Sequence, residues 1–214
     1  MIRNNIIVKS VIVVIFAICI IAGAGAAKVL AQDNTEPAKT DAMDKVHQEM
    51  MAKWQEYSTP GEGHKALEPL VGTWDYTVTW WETPESQPQK STGASEVKWI
   101  LGGRFLEQIA KGTAMGQEFQ GMGIMGYDNM TKEYSGIWID NMGTGMMSSA
   151  GTYDPSTKSF TETGSFSCPQ EGGEKSFRGV TTILGPDKYT YEMFAAGKDG
   201  KEARMMEIVY TRKK

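Results

Sequence analysis

The stretch GMGIMGYDNMTKEYSGIWIDNMGTGMMSSAGTYD, residues 121–154, alternates short apolar runs with residues that favour turns. The runs at 119–127 and 134–140 are rich in aromatic, branched and glycine residues, and a loop of hairpin length separates them. A similar segment follows one hairpin later: YDNMTKEY at 127–134 resembles YDPSTKSF at 153–160. Successive hairpins predict an antiparallel meander, since parallel strands would need long crossover connections.

Residues 121–126, GMGIMG, also spell the G-x-G-x-x-G pattern of dinucleotide-binding loops. That motif requires a helix directly after the glycines, so that the pyrophosphate meets the helix N-terminus. Here a predicted hairpin turn follows at once, and glycines within a strand permit bending and close backbone approach. We therefore interpret the glycines as part of a curved sheet, and no cofactor is predicted.

Ten segments with strand character follow one another along the rest of the chain, and turn signals separate every pair. The predicted strands are 73–81, 92–100, 104–111, 118–127, 133–140, 145–153, 160–167, 175–184, 189–195 and 202–212. Consecutive strands can remove their exposed edges by closing, so we predict an all-β, antiparallel up-and-down β-barrel of nine or ten strands. A propeller is the alternative, but ten strands would leave its last four-stranded blade incomplete.

The first 31 residues have the pattern of an export signal. Arg3 and Lys9 precede an apolar run at 11–22, and small residues up to Ala31 suit cleavage of a signal peptide at 1–31. We predict an exported protein, periplasmic or extracellular, with no membrane span after cleavage. The alternative is an uncleaved membrane anchor, since the apolar segment approaches the length of a spanning helix.

The charge of the chain makes nucleic acid an unfavourable partner. The formal net charge is −4, and removal of residues 1–31 changes it to −7 because that segment holds three basic residues and no acid. Cys168 is then the only cysteine, so no internal disulfide can form and the fold must be stabilised by burial.

Residues 32–41 are small and polar and are predicted to form a linker. A helical lead-in is predicted over 42–71, where an apolar stripe recurs at helical spacing: Met43, Val46, Met50, Trp54 and Tyr57. The sequence STPG at 58–61 ends this amphipathic helix. We expect a helix over 43–57 that packs its stripe against the barrel, and a membrane-surface or partner helix is the alternative.

The barrel domain predicted over 72–214 begins with Gly72, Thr73 and Trp74, which look like the G-x-W signature of lipocalin-like barrels. In that superfamily the tryptophan closes one end of the barrel, and an arginine of the last strand packs across it, as Arg212 could. The segments EGHKALEPLVGTW, ILGGRFLEQ, GYDN, WIDNMGTGM and IVYTRKK further resemble the bacterial domain-of-unknown-function family DUF1579. This resemblance implies a lipocalin-like (calycin-type) barrel with Gly72, Trp74 and Arg212 as structural residues, and it implies no activity.

Aromatic and methionine side chains recur at every second position of several predicted strands, so each row shares one face. The residues predicted to line a ligand cavity are Tyr76, Trp80, Trp99, Met125, Trp138, Tyr191 and Met193. A barrel of this size can leave space among its side chains, and methionines adapt to the shape of a ligand. The favoured function is non-enzymatic binding of an apolar or amphipathic small molecule, and the alternative is a filled core with a structural or interaction role.

Reactive groups are few. His47 and His64 both precede the barrel, which leaves little material for a serine triad or a multi-histidine metal site. Glu107 and Asp140 lie on apolar strands and could act as general bases of an enzyme if they face a cavity. Asp140 could instead cap a turn, and Glu107 could instead form an ion pair with Lys98 or Arg104.

Methionine is abundant, and three of the 14 residues lie close together at Met142, Met146 and Met147. Thioethers suit Cu(I), which gives a copper-binding alternative. Core packing is the favoured interpretation, because the other methionines fall at strand spacing and no histidine is near. No metal site is predicted.

Overall fold

A computed structural model describes residues 38–169, 172–197 and 200–214. The chain divides into two compact units, residues 1–44 and 45–214, and the second unit contains ten strands. Each strand starts and ends within about three residues of its predicted bounds. The strands are β1 Gly72–Trp80, β2 Gln89–Ile100, β3 Phe105–Ala114, β4 Gln117–Tyr127, β5 Tyr134–Asp140, β6 Met147–Asp154, β7 Ser159–Cys168, β8 Gly173–Gly185, β9 Lys188–Ala196 and β10 Glu202–Arg212.

The ten strands form one closed antiparallel barrel, in which strands adjacent in sequence are adjacent in space and β1 pairs with β10. Trp74 of β1, for example, lies opposite Arg212 of β10 on one side and Ser95 of β2 on the other. Closure gives every one of these strands a partner on both sides. The predicted all-β up-and-down barrel is confirmed.

The two similar segments, at 127–134 and 153–160, form the same kind of turn at Asp128 and Asp154. In each copy the aspartate carboxylate accepts a hydrogen bond from the backbone N–H two residues further on, at 2.7 and 2.8 Å. The lysine four residues after the aspartate adopts a left-handed φ in both copies, 61° at Lys132 and 54° at Lys158. Similar side-chain chemistry therefore produces similar hairpin connections.

A short helical segment covers one end of the barrel, which we call the closed end; the opposite end is the far end. This segment contains helix α2, Glu62–Lys65, and a 3-10 turn, Glu68–Leu70. Leu67 and Leu70 are buried in the same apolar cluster as Trp74. The Tyr134 hydroxyl on β5 also donates a hydrogen bond of 2.8 Å to the carbonyl oxygen of Gly63. Apolar burial and this hydrogen bond both attach the segment to the barrel.

Arg212 crosses over Trp74 at the closed end. The guanidinium carbon lies 4.1 Å from the centroid of the Trp74 ring, and the indole N–H donates to the carbonyl oxygen of Leu70 at 2.9 Å. The guanidinium also donates to the carbonyl oxygens of Val71, at 2.9 Å, and Pro186, at 2.8 Å. The predicted contact between Trp74 and Arg212 is confirmed. Arginine suits it because a planar guanidinium can stack on a ring while its edge donates hydrogen bonds.

Helix α1, Ala38–Ser58, begins earlier than the helix predicted over 43–57. Residues 38–41, predicted as the end of a linker, are helical because extending an existing helix is far easier than starting one. The rest of that linker and the predicted export signal at 1–31 lie outside the described residues. Within the described part of the chain, no helix combines the length and the apolar character that a bilayer crossing requires.

The apolar stripe of α1 does not become buried. Val46, Trp54 and Tyr57 are 65%, 51% and 41% exposed, so the prediction that the stripe packs against the barrel is wrong for these residues. The end of the helix is held by polar contacts instead. The side-chain amide of Asn129 donates to the carbonyl oxygens of Tyr57, at 2.9 Å, and Thr59, at 2.8 Å.

Candidate functional site

Strand register identifies the side chains that face the barrel interior. Trp74 is fully buried, and Tyr76, Val78 and Trp80 share its face because side chains alternate along a strand. Residues directly opposite each other on paired strands lie on the same face of the sheet, so the register identifies the inward-facing residues of every other strand. By this register all seven predicted cavity residues face inward. They are Tyr76, Trp80, Trp99, Met125, Trp138, Tyr191 and Met193.

The predicted cavity residues are spread along the barrel axis and do not form one ring. Trp99 lies at the closed end, where its indole N–H donates to the Glu68 carboxylate at 2.7 Å. Trp80 is the last residue of β1 and lies at the far end. The other five occupy intermediate positions on their strands. The register thus separates the residues that close the barrel from those that could line a space inside it.

Inward-facing side chains differ in exposure along the axis. Near the closed end Trp74, Leu106, Tyr134, Phe160 and Tyr210 are buried. Further along the barrel several inward-facing side chains remain partly exposed: Val78, Trp80, Phe119, Trp138, Tyr191 and Ile208. A filled core packed at the usual density of protein interiors would remove this surface from solvent. The inner face is therefore partly open to solvent at these positions, although Phe177 and Met193 in the far half are buried.

The glycines of the GMGIMG run make room for the Trp138 ring. A Cβ at Gly121 would overlap this ring, and a Cβ at Gly123 would lie 3.0 Å from it. The Phe119 ring lies beside Trp138 and nearly parallel to it, with 6.5 Å between centroids and 15° between planes. Strand β4 contains these glycines, and a hairpin follows it with no helix to receive a pyrophosphate. The glycines therefore serve aromatic packing on the inner face.

Glu107 and Asp140, the two candidate bases, are engaged elsewhere. Glu107 faces outward, because its neighbours Leu106 and Gln108 on β3 face inward. Its carboxylate pairs with Lys98 at 3.0 Å. Asp140 accepts hydrogen bonds from the Trp138 indole N–H and from the backbone N–H of Met142, both at 2.9 Å. Asp140 thus caps the turn after β5. Glu107 therefore lacks the inward placement that the enzyme hypothesis requires, whereas Asp140 shares the inner face with Trp138 but is engaged by these two hydrogen bonds.

The three neighbouring methionines differ in exposure and in the face that they occupy. Met142 and Met146 are 43% and 69% exposed, whereas Met147 lies opposite Trp138 on the inner face of β6. Among the described residues, no group of three or more His, Cys, Asp or Glu side chains is placed to hold a metal ion.

Glu162 is an inward-facing carboxylate that the sequence interpretation missed. It lies on β7, two residues after the buried Phe160, and its partners in the sheet are Gly151 and Gly179. The signal in the sequence was the two-residue alternation of Phe160, Glu162 and Gly164, which places the carboxylate on the same face as an aromatic residue. An inward-facing carboxylate is thus present on β7, in addition to Asp140 at the end of β5, whereas Glu107 on β3 faces outward.

Hydrogen bonds hold the Glu162 carboxylate in place. The Ser149 hydroxyl donates to it at 2.8 Å, and the Tyr191 hydroxyl forms a second hydrogen bond with it. Gly179 makes the space, because a Cβ there would lie 2.7 Å from a carboxylate oxygen and 2.9 Å from the Tyr191 hydroxyl. Burial raises the pKa of Glu162 above its ordinary value, and the two hydrogen bonds lower it only in part.

We expect Glu162→Gln to remove a pH dependence of stability. Because burial raises the folded-state pKa of Glu162 above its ordinary value of 4.5, the native protein binds more protons than the unfolded chain between these two values. Its contribution to stability is therefore fully present below pH 4.5 and is lost as the pH rises through the folded-state pKa. Glutamine stays neutral, so the variant should gain stability relative to the wild type as the pH rises.

Urea denaturation at a series of pH values measures this difference. Glu107→Gln is the matched control, because it makes the same chemical change on the outer face of the barrel. A parallel pH trend in both variants would contradict the assignment to Glu162.

A second polar cluster lies on the inner faces of β2, β3 and β10. The Gln108 side-chain amide donates to the Ser95 hydroxyl at 3.0 Å and to the Tyr210 hydroxyl at 3.4 Å. Burial raises the pKa of Tyr210 to about 12. The buried hydroxyl of Tyr76 has no hydrogen-bond partner among the described residues. Polar side chains that can donate and accept hydrogen bonds therefore lie at more than one place on the inner face.

Solved structures similar to this chain are β-barrels with low sequence identity. Rv2717c from M. tuberculosis is 15% identical, with a TM-score of 0.54 over 73% of this chain and 100% of that chain. The S-type phycobiliprotein lyase CPES from Guillardia theta is 9% identical, with a TM-score of 0.46 over 72% of this chain and 99% of that one. The redesigned β-barrel mFAP1, bound to DFHBI, is 18% identical, with a TM-score of 0.37 over 69% and 98% of the two chains. The likeness to Rv2717c supports the fold alone.

Comparison with curated proteins finds no match. A family model does match, over residues 59–212, and the matched range contains α2, all ten strands, and the Trp74 and Arg212 pair at the closed end. Since this range covers most of the chain, the protein belongs to the family described as protein of unknown function (DUF1579).

Proposed function

We propose that this protein binds an apolar or amphipathic small molecule inside the barrel and does not catalyse a reaction. The observation that carries the proposal is the partial exposure of the inward-facing aromatic side chains Trp80 and Trp138 in the far half of the barrel. We also propose that the protein is exported to the periplasm or the extracellular space. The amino-acid pattern of residues 1–31 supports export.

The packing of the closed end predicts that a ligand enters the barrel from the far end. Leu67, Leu70 and Trp74 fill the closed end with buried apolar side chains. Arg212 and the 3-10 turn add hydrogen bonds there, so a ligand would have to displace much of the packing to enter by that route. At the far end, by contrast, Trp80 and Trp138 keep part of their surface accessible. Apolar surface of this kind gains free energy when a ligand covers it.

Titration with N-phenyl-1-naphthylamine, a neutral dye whose fluorescence rises in apolar surroundings, tests the proposal. We expect the wild type to bind the dye and Trp138→Ala to bind it about 3- to 10-fold more weakly, as the loss of one aromatic stacking partner predicts. Circular dichroism shows whether the variant keeps its fold. Native mass spectrometry of protein purified from its natural host, with extraction of what co-purifies, would identify the natural ligand.

Two matched variants control for binding outside the barrel. Trp81 lies beyond the end of β1 with the Arg204 guanidinium over its ring, and Trp54 lies on the exposed stripe of α1. Trp81→Ala and Trp54→Ala should leave dye binding unchanged. The proposal is overturned if the folded wild type binds no dye, or if Trp54→Ala weakens binding and Trp138→Ala does not.

An interaction domain is the second candidate, because one outer face of the barrel is apolar. Met122, Ile137 and Ile139 face outward on the neighbouring strands β4 and β5 and are 37%, 44% and 38% exposed. Exposed apolar patches often mark protein interfaces. Dye binding that Ile139→Ser weakens and Trp138→Ala leaves unchanged would favour this function over ligand binding in the interior.

A further inference from the structure

The Glu162 carboxylate differs from the carboxylates that form ion pairs on the barrel strands. Those carboxylates face outward: Glu107 pairs with Lys98, Glu192 and Glu207 with Arg204, and Glu202 with Arg178. Asp140 also faces inward, but its carboxylate is bound by the Trp138 indole N–H and the turn after β5. Glu162 faces inward, and its partners are the hydroxyl groups of Ser149 and Tyr191. None of the ion pairs among the described residues includes Glu162.

The inward-facing cations of the described residues lie away from Glu162. Arg212 is at the closed end, where Trp74 and backbone carbonyl oxygens engage its guanidinium. Lys175 lies four residues along β8 from Gly179, the sheet partner of Glu162, which is roughly 13 Å along a strand. The hydrogen bonds at Glu162 therefore come from neutral donors, although a carboxylate can accept about four hydrogen bonds.

Aromatic side chains lie next to Glu162 on the inner face of the barrel. Tyr191 contacts the carboxylate through its hydroxyl, and Phe160 lies two residues away on the same inner face. Aromatic faces attract cations, and a carboxylate with spare lone pairs accepts hydrogen bonds from an ammonium group. A negatively charged ligand would instead meet a like charge in a site of reduced dielectric.

We propose that Glu162 binds the ammonium group of an amphipathic amine whose apolar chain lies along the aromatic and methionine side chains of the far half. This inference rests on the proposed function and adds to it the chemical class of the ligand. Ser149 and Tyr191 orient the carboxylate, and Gly179 leaves the space in which it lies. The apolar part of the ligand contributes affinity, and the ammonium group contributes selectivity.

Three probes with the same ten-carbon chain test the ligand class: decylamine, 1-decanol and decanoate, each below its micelle-forming concentration. Displacement of N-phenyl-1-naphthylamine from the full protein gives their affinities. We expect decylamine to bind the wild type roughly 10- to 100-fold more tightly than 1-decanol, the range expected for a hydrogen bond to a charged group, and decanoate to bind most weakly. Glu162→Gln should bring decylamine within about threefold of 1-decanol and leave 1-decanol unchanged.

Glu107→Gln is the matched control and should keep the preference for decylamine, because Glu107 faces outward. If Glu162→Gln fails to fold, the pH dependence of decylamine binding to the wild type tests the proposal instead. The affinity for decylamine should increase as the pH rises above 4.5, the ordinary pKa of glutamate, and Glu162 ionises through its raised pKa, while the affinity for 1-decanol stays constant. The groups facing the carboxylate are the hydroxyls of Ser149 and Tyr191, and burial keeps the Tyr191 pKa above this range.

The outcomes separate the two proposals. If 1-decanol binds as tightly as decylamine, or if Glu162→Gln keeps the preference for decylamine, the amine class is wrong and ligand binding in the barrel stands. If neither the dye nor any of the three probes binds the folded protein, the proposed function itself is wrong.

Discussion

Replacement of Trp74 by alanine is expected to lower the free energy of unfolding by about 3 to 5 kcal/mol. The Trp74 ring is fully buried, meets the Tyr189 ring edge-on with 4.7 Å between centroids, and has the Arg212 guanidinium over its face. The substitution would leave a cavity at the closed end and remove the surface on which the guanidinium lies. Since domains of this kind are stable by only about 5 to 15 kcal/mol, the loss would be a large fraction of the total.

Urea denaturation followed by circular dichroism measures this loss, and Trp54→Ala is the matched control. Trp54 is 51% exposed on α1, so its replacement should change the free energy of unfolding by no more than about 0.5 kcal/mol. Losses of equal size in the two variants would show that the closed end does not depend on Trp74.

The substitution Gly151→Ala is expected to destabilise the protein by about 1 to 3 kcal/mol, the usual effect of overpacking. A Cβ at Gly151 would overlap the backbone carbonyl oxygen of Thr161 and lie 2.6 Å from the Cα atom of Glu162. Both obstacles belong to the backbone of β7, so no side-chain rotation can relieve the overlap, and β6 and β7 would have to separate. This separation should also weaken the hydrogen bond from Ser149 on β6 to Glu162 on β7.

Gly143→Ala provides the comparison for Gly151→Ala. Gly143 is exposed, and a Cβ there would have no neighbouring atom closer than 4.0 Å. Its replacement should leave stability unchanged or raise it by several tenths of a kcal/mol, because alanine restricts the unfolded chain. If Gly151→Ala behaves as Gly143→Ala does, the close approach of β6 and β7 is not needed for stability. Urea denaturation and the decylamine affinity of Gly151→Ala would together show whether stability and ligand binding decrease together.

The strand series could be predicted from the sequence because its signals are local. Aromatic and branched residues at every second position indicate strands, and the Asp128 and Asp154 turns carry their own hydrogen-bonding side chains. The contact between Trp74 and Arg212 was predicted from the resemblance of Gly72 and Trp74 to a known barrel motif. Neither inference required knowledge of how distant strands align.

The choice between Glu107 and Glu162 shows where local signals fail. Glu107 has the apolar neighbours Leu106 and Ile109, which suggested burial, but strand β3 carries apolar side chains on both faces. Leu106 is buried on the inner face, while Glu107 lies on the outer face beside the 38% exposed Phe105. Glu162 has polar neighbours in sequence, Thr161 and Thr163, and these occupy the outer face. Apolar neighbours in sequence are therefore a weaker guide to burial than residues two positions away.

The helix α1 shows a second limit of sequence patterns. Its apolar stripe was expected to be buried, because stripes of this kind usually pack on a core. The ten strands and the short segment at Leu67 and Leu70 already complete the apolar core of the barrel, so the stripe at Trp54 keeps its exposure. An amphipathic pattern predicts a helix, but the surface available to cover it is a property of the whole fold.

The sequence by itself determined the number and order of the strands, the positions of the turns, and the sets of residues that share a face, because these depend on interactions between near neighbours. The aromatic and methionine rows also indicated the inner face of β1, β2, β4, β5 and β9, but only the tertiary structure decided which face of β3 and β7 lies inside. Closure through the pairing of β1 with β10 aligns residues more than a hundred positions apart, such as Trp74 and Arg212. That alignment places Glu162 in the interior beside Ser149 and Tyr191, because inward orientation depends on register across the whole sheet.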